Sequence, residues 1–301
     1  MSTAYLDADM LAYRAVERAY IKADWNQTQS ITEIFDFDKA KTLASNTISE
    51  WKNKARAKDV ILAFTAPKNF RKRLTISYNA KVDTAEPSAV KQFETLTTDE
   101  PISQGYLDGV PEESVVFEMT EAAPGNKKVF NYKSNRVPKK PQGYWKLISY
   151  LESVYPYERV SNLEADDVMG MAASRSPDNI IVSLDKDIFT VPGFVLNPNK
   201  MERPEFNSEE SANRNWLTQV LTGDLTDGYQ GIRNVGPVKA KRILANVYSI
   251  EDMWEEVVTS YAFAGLTYAE ALLNARLARL LRDGEYDFET HKIRLWEPST
   301  V

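Results

Sequence analysis

The chain has 301 residues, 43% hydrophobic and 27% charged, which allows a packed core in one large domain or two ordinary ones and excludes bulk disorder. It has no Cys and one His, His291, so disulfides, thiolate metal sites and zinc centres built on several imidazoles are excluded. The net charge of −6 argues mildly against a nucleic-acid partner on average, which gives more weight to how charge is distributed along the chain.

A His-based triad would require His291 to fold back into a cleft, and any metal would have to be held by oxygen, favouring Mg²⁺ or Mn²⁺. The N-terminus lacks a basic region followed by an apolar run. No apolar stretch approaches the ~20 residues of a membrane span. A soluble, cytoplasmic protein without membrane contact is expected.

Residues 4–14 read as a short strand ending in acid, Asp7, and running into a helix. Helical spacing marks 40–57 (Leu43, Thr47, Ile48, Trp51), and Asp59 to Phe64 is an apolar run of the length of a buried strand. From about 75 to 125 acids dominate. Val115 to Met119 and Lys128 to Tyr132 could pair as a hairpin with Pro124-Gly125 as the turn signal, and the stretch reads as an insertion without chemistry. Residues 145–154 are helix-like, and Ile180 to Leu184 is another buried strand ending in acid, at Asp185. Asn197 to Pro204 resembles a linker. Beyond Ser208 helices are expected near 211–221, 238–245, 250–261 and 268–281. Strands alternating with helices imply an α/β fold with a mainly parallel sheet, whose ligands gather beyond the carboxyl ends of the strands. Asp7 and Asp185 should therefore point into one crevice.

Four acidic groups stand out: Asp7 with Asp9, Glu164 with Asp166 and Asp167, Asp185 with Asp187, and Asp224 with Asp227. Any one alone would be an ordinary turn or helix cap. Glu164 and Asp167 lie three apart, which on a helix is one face, and Asp224 and Asp227 share that spacing. So many carboxylates in one cleft would repel strongly without cations. Two divalent ions ~4 Å apart would resolve the repulsion, activating a water and stabilising a leaving oxygen, as phosphodiester hydrolysis requires.

Positive charge is also segregated. Lys68, Arg71, Lys72 and Arg73 follow the second strand. Lys127, Lys128, Lys133, Arg136, Lys139, Lys140 and Lys146 then occur without an intervening acid, interleaved with Phe130, Tyr132, Tyr144 and Trp145. A solvated surface is the ordinary reading of such a run. The rings tilt it toward stacked single-strand bases, and cations beside the metals could neutralise a scissile phosphate. Gly231 to Arg242, with Arg233, Gly236, Lys239 and Lys241, is a glycine-flanked turn opening a helix, suited to gripping phosphate.

In this order the motifs resemble the flap-endonuclease superfamily, and within it the 5′→3′ exonucleases of podophages. They are Leu6-Asp7-Ala8-Asp9 with Tyr13-Arg14, Leu62 to Thr65 with Asn69 to Lys72, Tyr132 to Arg136 with Lys139-Lys140-Pro141, Leu163 to Asp167, Ser183 to Asp187, and Gly223 to Ile232. The ending from Ala278 to Trp296 is also similar to the podophage branch. The resemblance implies a PIN-like nuclease core over 1–205 with an arch or clamp at about 127–150, and a helical domain over 206–301 with a helix–three-turn–helix element on duplex DNA. It implies metal ligation by Asp7, Glu164, Asp166, Asp185, Asp187 and Asp227, with Asp167 and Asp224 as ligands or outer-shell groups. Lys133 and Arg136 match a phosphate-contacting pair, and Tyr132 sits where a stacking ring would. Arg71, Lys72, Lys139 and Lys140 are expected on nucleic acid. A K⁺ ion is implied near Val235-Gly236. Many relatives carry an Asp just after the second strand, where this chain has Thr65 and Ala66, so that ligand is missing or replaced by water.

The function expected is a monomeric 5′→3′ exonuclease on duplex DNA with flap or RNA–DNA hybrid cleavage, in phage replication or recombination. The alternatives are a structure-specific flap endonuclease and a DNA-binding protein with a degenerate nuclease core.

Overall fold

The computed structural model describes residues 2–24, 31–74, 132–133 and 140–299. The expected insertion lies outside them, as do Arg136, Lys139 and the hairpin except for its last residue, Tyr132, which stands with Lys133 in a turn.

Strand β1 (Thr3–Asp7) runs directly into α1 (Ala8–Glu17). The hairpin of β2 (Tyr20–Asp24) and β3 (Ile31–Phe35) follows, then α2 (Phe37–Ala55) and β4 (Asp59–Phe64). Next come α3 (Tyr144–Val154), β5 (Tyr157–Arg159), α4 (Ala165–Arg175), β6 (Asn179–Val182), β7 (Gly193–Leu196) and β8 (Glu205–Asn207). The remainder is mainly helical: α5 (Glu209–Thr222), a two-residue ladder of β9 (Gly223–Asp224) and β10 (Tyr229–Gln230), then α6 (Pro237–Ile243), α7 (Ile250–Phe263) and α8 (Tyr268–Ala278).

The main sheet has the order β5-β4-β1-β6-β7-β8, parallel except for the antiparallel edge strand β8. Alternation along the strands divides the core in two. Ala4, Leu6, Leu62, Phe64, Ile180 and Val182 face α1, α2 and α3. Tyr5, Ala63, Ile181 and Val195 face α4 and the C-terminal helices. Because both faces are covered, β4 and β6 are continuous apolar runs rather than alternating ones. The expected α/β class with a mainly parallel sheet is the one observed.

Two expectations need correction. The stretch from Asn197 is not a free linker: Asn197 is buried, and its side-chain amide donates to the Leu184 carbonyl at 2.9 Å, tying the loop to the acid-bearing end of β6. The expected domain boundary at 205/206 falls within β8, so the sheet continues past it. Among the described residues no helix is long and apolar enough to cross a membrane.

Candidate active site

Asp7 is the last residue of β1 and the N-cap of α1. Its Oδ1 accepts from the Met10 amide at 3.0 Å and its Oδ2 from the Ser183 hydroxyl at 3.2 Å. Ser183 lies just past β6, and its Oγ also accepts from the Asp185 amide at 3.1 Å, so one hydroxyl joins the two strand ends. Asp185 caps the short 3₁₀ turn over 186–190, accepting from the Asp187 amide at 3.0 Å. Asp7 and Asp185 thus do enter one crevice, as the strand-end argument predicts.

Burial, Asp9 and Asp185 push the Asp7 carboxyl up to about 7. Burial, Asp7 and Asp185 raise Asp166, on the first turn of α4, well above the usual carboxylate range. Its Oδ1 is sealed from water and has no hydrogen-bond partner among the described residues. Burial, followed by Asp185, Asp227 and Asp224, pushes Asp187 up to about 7 against the pull of Lys186. Asp185 therefore belongs to two groups, one with Asp7 and Asp166 and the other with Asp187, Asp224 and Asp227. Among the described residues no three Asp, Glu or His side chains form a ready-made cage for an ion. What the crevice offers is an all-oxygen donor set with one buried, unpartnered carboxylate oxygen and mutual repulsion that Lys133 and Lys186 offset only in part. Such a set fits a hard divalent cation.

This electrostatics predicts a pH dependence with a definite sign. A carboxyl whose folded pKa lies above its unfolded one binds more protons in the folded state, so stability is lost as pH rises from about 4 to about 7. Glu164, by contrast, is held down at about 2, and its contribution is already complete above pH 5. Scanning calorimetry in excess chelator should show the melting temperature falling as pH rises from about 4 to about 7, a loss of stability of up to ~1.4 kcal/mol per pH unit for each titrating carboxyl. Saturating Mg²⁺ should reverse the fall at pH 8. A metal-free melting temperature that rises over this range contradicts the arrangement.

The other expected acids are placed differently. Asp224 and Asp227 are not on a helix. They bracket the β9–β10 turn, where Asp224 Oδ1 accepts from the Thr226 and Asp227 amides at 2.8 and 3.3 Å. The turn depends on glycine: Gly223 has φ +70, and a Cβ there would lie 2.2 Å from the Gly231 nitrogen. Burial opposes ionisation of Asp224, but the Lys186 ammonium at 2.8 Å holds its carboxyl below the usual range. Glu164 is the N-cap of α4 and forms a capping box with Asp167. Burial would raise Glu164, yet Lys133, Arg71 and the Tyr132 hydroxyl outweigh it.

Two expected roles are overturned. Arg71 is fully buried and cannot reach nucleic acid. Its guanidinium grips Asp167 with two bonds of 2.7 and 2.6 Å, donates to the Leu277 and Arg279 carbonyls, and meets Glu164 at 3.3 Å. Asp167, expected as a ligand or an outer-shell group, has both oxygens engaged by Arg71, an arrangement that fits the second of these. It is buried, and its oxygens also accept from the Glu164 and Leu281 amides. Tyr132, at 6% exposure, offers no stacking face; its hydroxyl lies 3.0 Å from Glu164 Oε2 and 3.1 Å from Asp227 Oδ2. Lys133 remains at the crevice, paired with Glu164 and 3.6 Å from Asp227, with a left-handed φ of 56.

Asp9, Thr65 and Tyr144 were noticed in the sequence but were given no place in the site. Asp9 accepts from the Tyr144 hydroxyl at 3.0 Å and the Thr65 amide at 2.8 Å, while Thr65 Oγ1 accepts from the Ala165 amide at 3.1 Å. Thr65 thus ties α1 to the start of α4 from the position where the acid is lacking. The Asp-x-Asp spacing was the signal available for Asp9; a hydroxyl reaching across 135 residues left none.

Arg233, Gly236, Lys239, Lys241 and Arg242 lie exposed around the start of α6, whose N-cap is Gly236 and whose first residue is Pro237. A Cβ on Gly236 would meet nothing within 4 Å, so the approach to the helix end is open. Lys72 is half-buried, and Lys140 is exposed with its ammonium 4.6 Å from the Tyr144 ring centre.

The chain is similar along nearly its whole length to two phage proteins. The exonuclease of Escherichia phage T7 is 26% identical over 332 aligned positions, covering 97% of this chain and 92% of that protein. The exodeoxyribonuclease of Enterobacteria phage T3 is 25% identical over 334 positions with the same coverage. Among solved structures, a phage T5 protein co-crystallised with metal ions matches with a TM-score of 0.54 at 13% identity, covering 93% of this chain and 90% of that one. The phage T5 flap endonuclease in a pseudo-enzyme–product complex with DNA and metal ions gives 0.51 at 13% identity, covering 92% and 93%. No protein-family model matches the chain. At such identities the structures speak to the fold, and the sequence relatives add the class. The chain thus shares the fold of the phage T5 structures and is similar in sequence to two phage exonucleases.

Proposed function

We propose that this chain is a metal-dependent 5′→3′ exodeoxyribonuclease. It hydrolyses phosphodiester bonds from 5′ ends of duplex DNA, cleaves flaps and RNA–DNA hybrids beside that, and acts as a monomer in phage replication or recombination. The observation that carries the reading is the charge that Asp185 shares with Asp7 and Asp166 on the one hand and with Asp187 on the other, beside a buried Asp166 oxygen with no hydrogen-bond partner among the described residues. Asp7, Asp166 and Asp185 would hold one Mg²⁺ or Mn²⁺, and Asp185 and Asp187 with Asp224 or Asp227 the other. When bound, two such ions supply an acidified water at neutral pH and charge for the leaving oxygen.

The chain's own groups do the rest. Lys133, held by Glu164 and Asp227 at the crevice edge, is placed to neutralise the scissile phosphate, and Arg136 is its expected companion. The open start of α6 grips the duplex backbone, so Lys239→Ala or Lys241→Ala should weaken binding of all sequences alike and lower the salt slope by ~1. An unchanged slope for both, measured by anisotropy across a salt series, puts the duplex elsewhere. The turn at Val235-Gly236 is the candidate for K⁺.

The reading is tested with blunt and flapped duplexes labelled at the 5′ end. Labelled mononucleotide or short product from the blunt duplex in Mg²⁺ supports the exonuclease. Flap-length product alone would make the chain an endonuclease, and no product from either would leave a DNA-binding protein.

A further inference from the structure

Of the four rings interleaved with the basic stretch, Phe130 lies outside the described residues, and Tyr132 and Tyr144 are 6% and 1% exposed. Trp145 is 63% exposed. An indole so open on the first turn of a helix keeps a broad apolar face that, among the described residues, only the edge contact with Tyr144 touches as a ring. Its place is fixed from below. The Tyr144 ring packs edge-on to it at 5.0 Å, and the Tyr144 hydroxyl is anchored on Asp9, which borders Asp7. Trp145 therefore stands one ring away from the carboxylate crevice, on an element that cannot drift from it. Its surroundings are cationic: Lys140 lies over the Tyr144 ring, the exposed Lys146 sits 4.2 Å from the Phe37 ring, and the first turn of α3 has no acid.

We infer that Trp145 is a stacking platform for an unpaired base of the 5′-ended strand, with phosphates flanking it on Lys140 and Lys146. A paired base is already stacked on its neighbours, whereas an unpaired one offers a free face to any ring. Trp145 thereby favours flapped or frayed 5′ ends over blunt ones. This rests on the nuclease reading above.

The test compares wild type, Trp145→Ala and Trp145→Phe for affinity toward a 5′-flapped and a blunt duplex, by anisotropy in excess chelator so that nothing is cut. Trp145→Ala should weaken the flapped duplex ~10-fold, as loss of one stacked base implies, and the blunt one by less than about twofold. Trp145→Phe should keep most of the affinity, and all three proteins should melt alike, because the ring packs on one side only. With Mg²⁺ the ratio of flap to blunt cleavage should fall by the same factor. Unaltered affinity for the flapped duplex, or equal losses on both, overturns the inference. Failure of the wild type to cut either substrate would instead overturn the nuclease reading, while the binding comparison would still decide the role of Trp145.

Discussion

Replacing Asp185 by Asn is expected to lower the cleavage rate at saturating Mg²⁺ by ~10³-fold or more while duplex affinity stays within about threefold. Asp185 raises Asp7, Asp166 and Asp187 alike, so on the proposed reading its charge would serve both ions, whereas Asp7 and Asp187 would each serve one. The substitution is gentle to the fold. The amide oxygen can still accept from the Asp187 amide, the bond by which Asp185 caps its turn. Loss of one charge from a crowded site should also relieve Asp7 and Asp166, so the metal-free variant should melt no lower than wild type. Single-turnover cleavage beside binding in chelator separates chemistry from affinity. A variant that cuts at near wild-type rate removes Asp185 from the centre of the site.

The largest effect on stability is expected from Arg71→Met, which should cost ~3–5 kcal/mol, because it leaves Asp167 charged and buried without its cation and strips Glu164 of one of its two. A loss of that size lowers the melting temperature by ~6–20 °C in a chain of this length. DNA affinity and its salt slope should not change, since the guanidinium is wholly inside. The Arg71→Met/Asp167→Leu double variant should recover part of the loss, because an apolar pair replaces an ion pair of which neither half is then orphaned. Undiminished stability with weakened DNA binding would return Arg71 to the surface role that its neighbours in sequence suggest.

Arg71 shows where sequence reading stops. Lys68, Arg71, Lys72 and Arg73 are indistinguishable as a charge run, and what buries Arg71 lies 96 residues away in Asp167 and beyond 200 residues away in the Leu277 and Arg279 carbonyls. No local pattern encodes such pairings. Tyr132 failed similarly: a ring amid lysines suggests stacking, but its hydroxyl is drawn inward by two carboxylates. What was legible had local causes. The runs at β4 and β6 were readable because parallel strands covered on both faces are apolar throughout, and the acids that close β1 and follow β6, Asp7 and Asp185, mark the crevice by topology alone. The helices from α5 to α8 were found because amphipathic spacing and caps such as Ser208, Ser249 and Thr267 are local signals. The β2–β3 hairpin was missed because, among the described residues, it pairs with no other strand and leaves Ile21 and Ile34 exposed, so little alternation marks it.

The most direct test of the whole account is the rate of 5′-terminal nucleotide release from a 5′-labelled blunt duplex, followed across a Mg²⁺ titration starting in excess chelator. The two carboxylate groups joined at Asp185 predict no release in chelator and an upward-curving rise in which the rate climbs with about the second power of Mg²⁺ before saturating. Release that persists in chelator would contradict the metal site, and with it the chemistry assigned to this crevice.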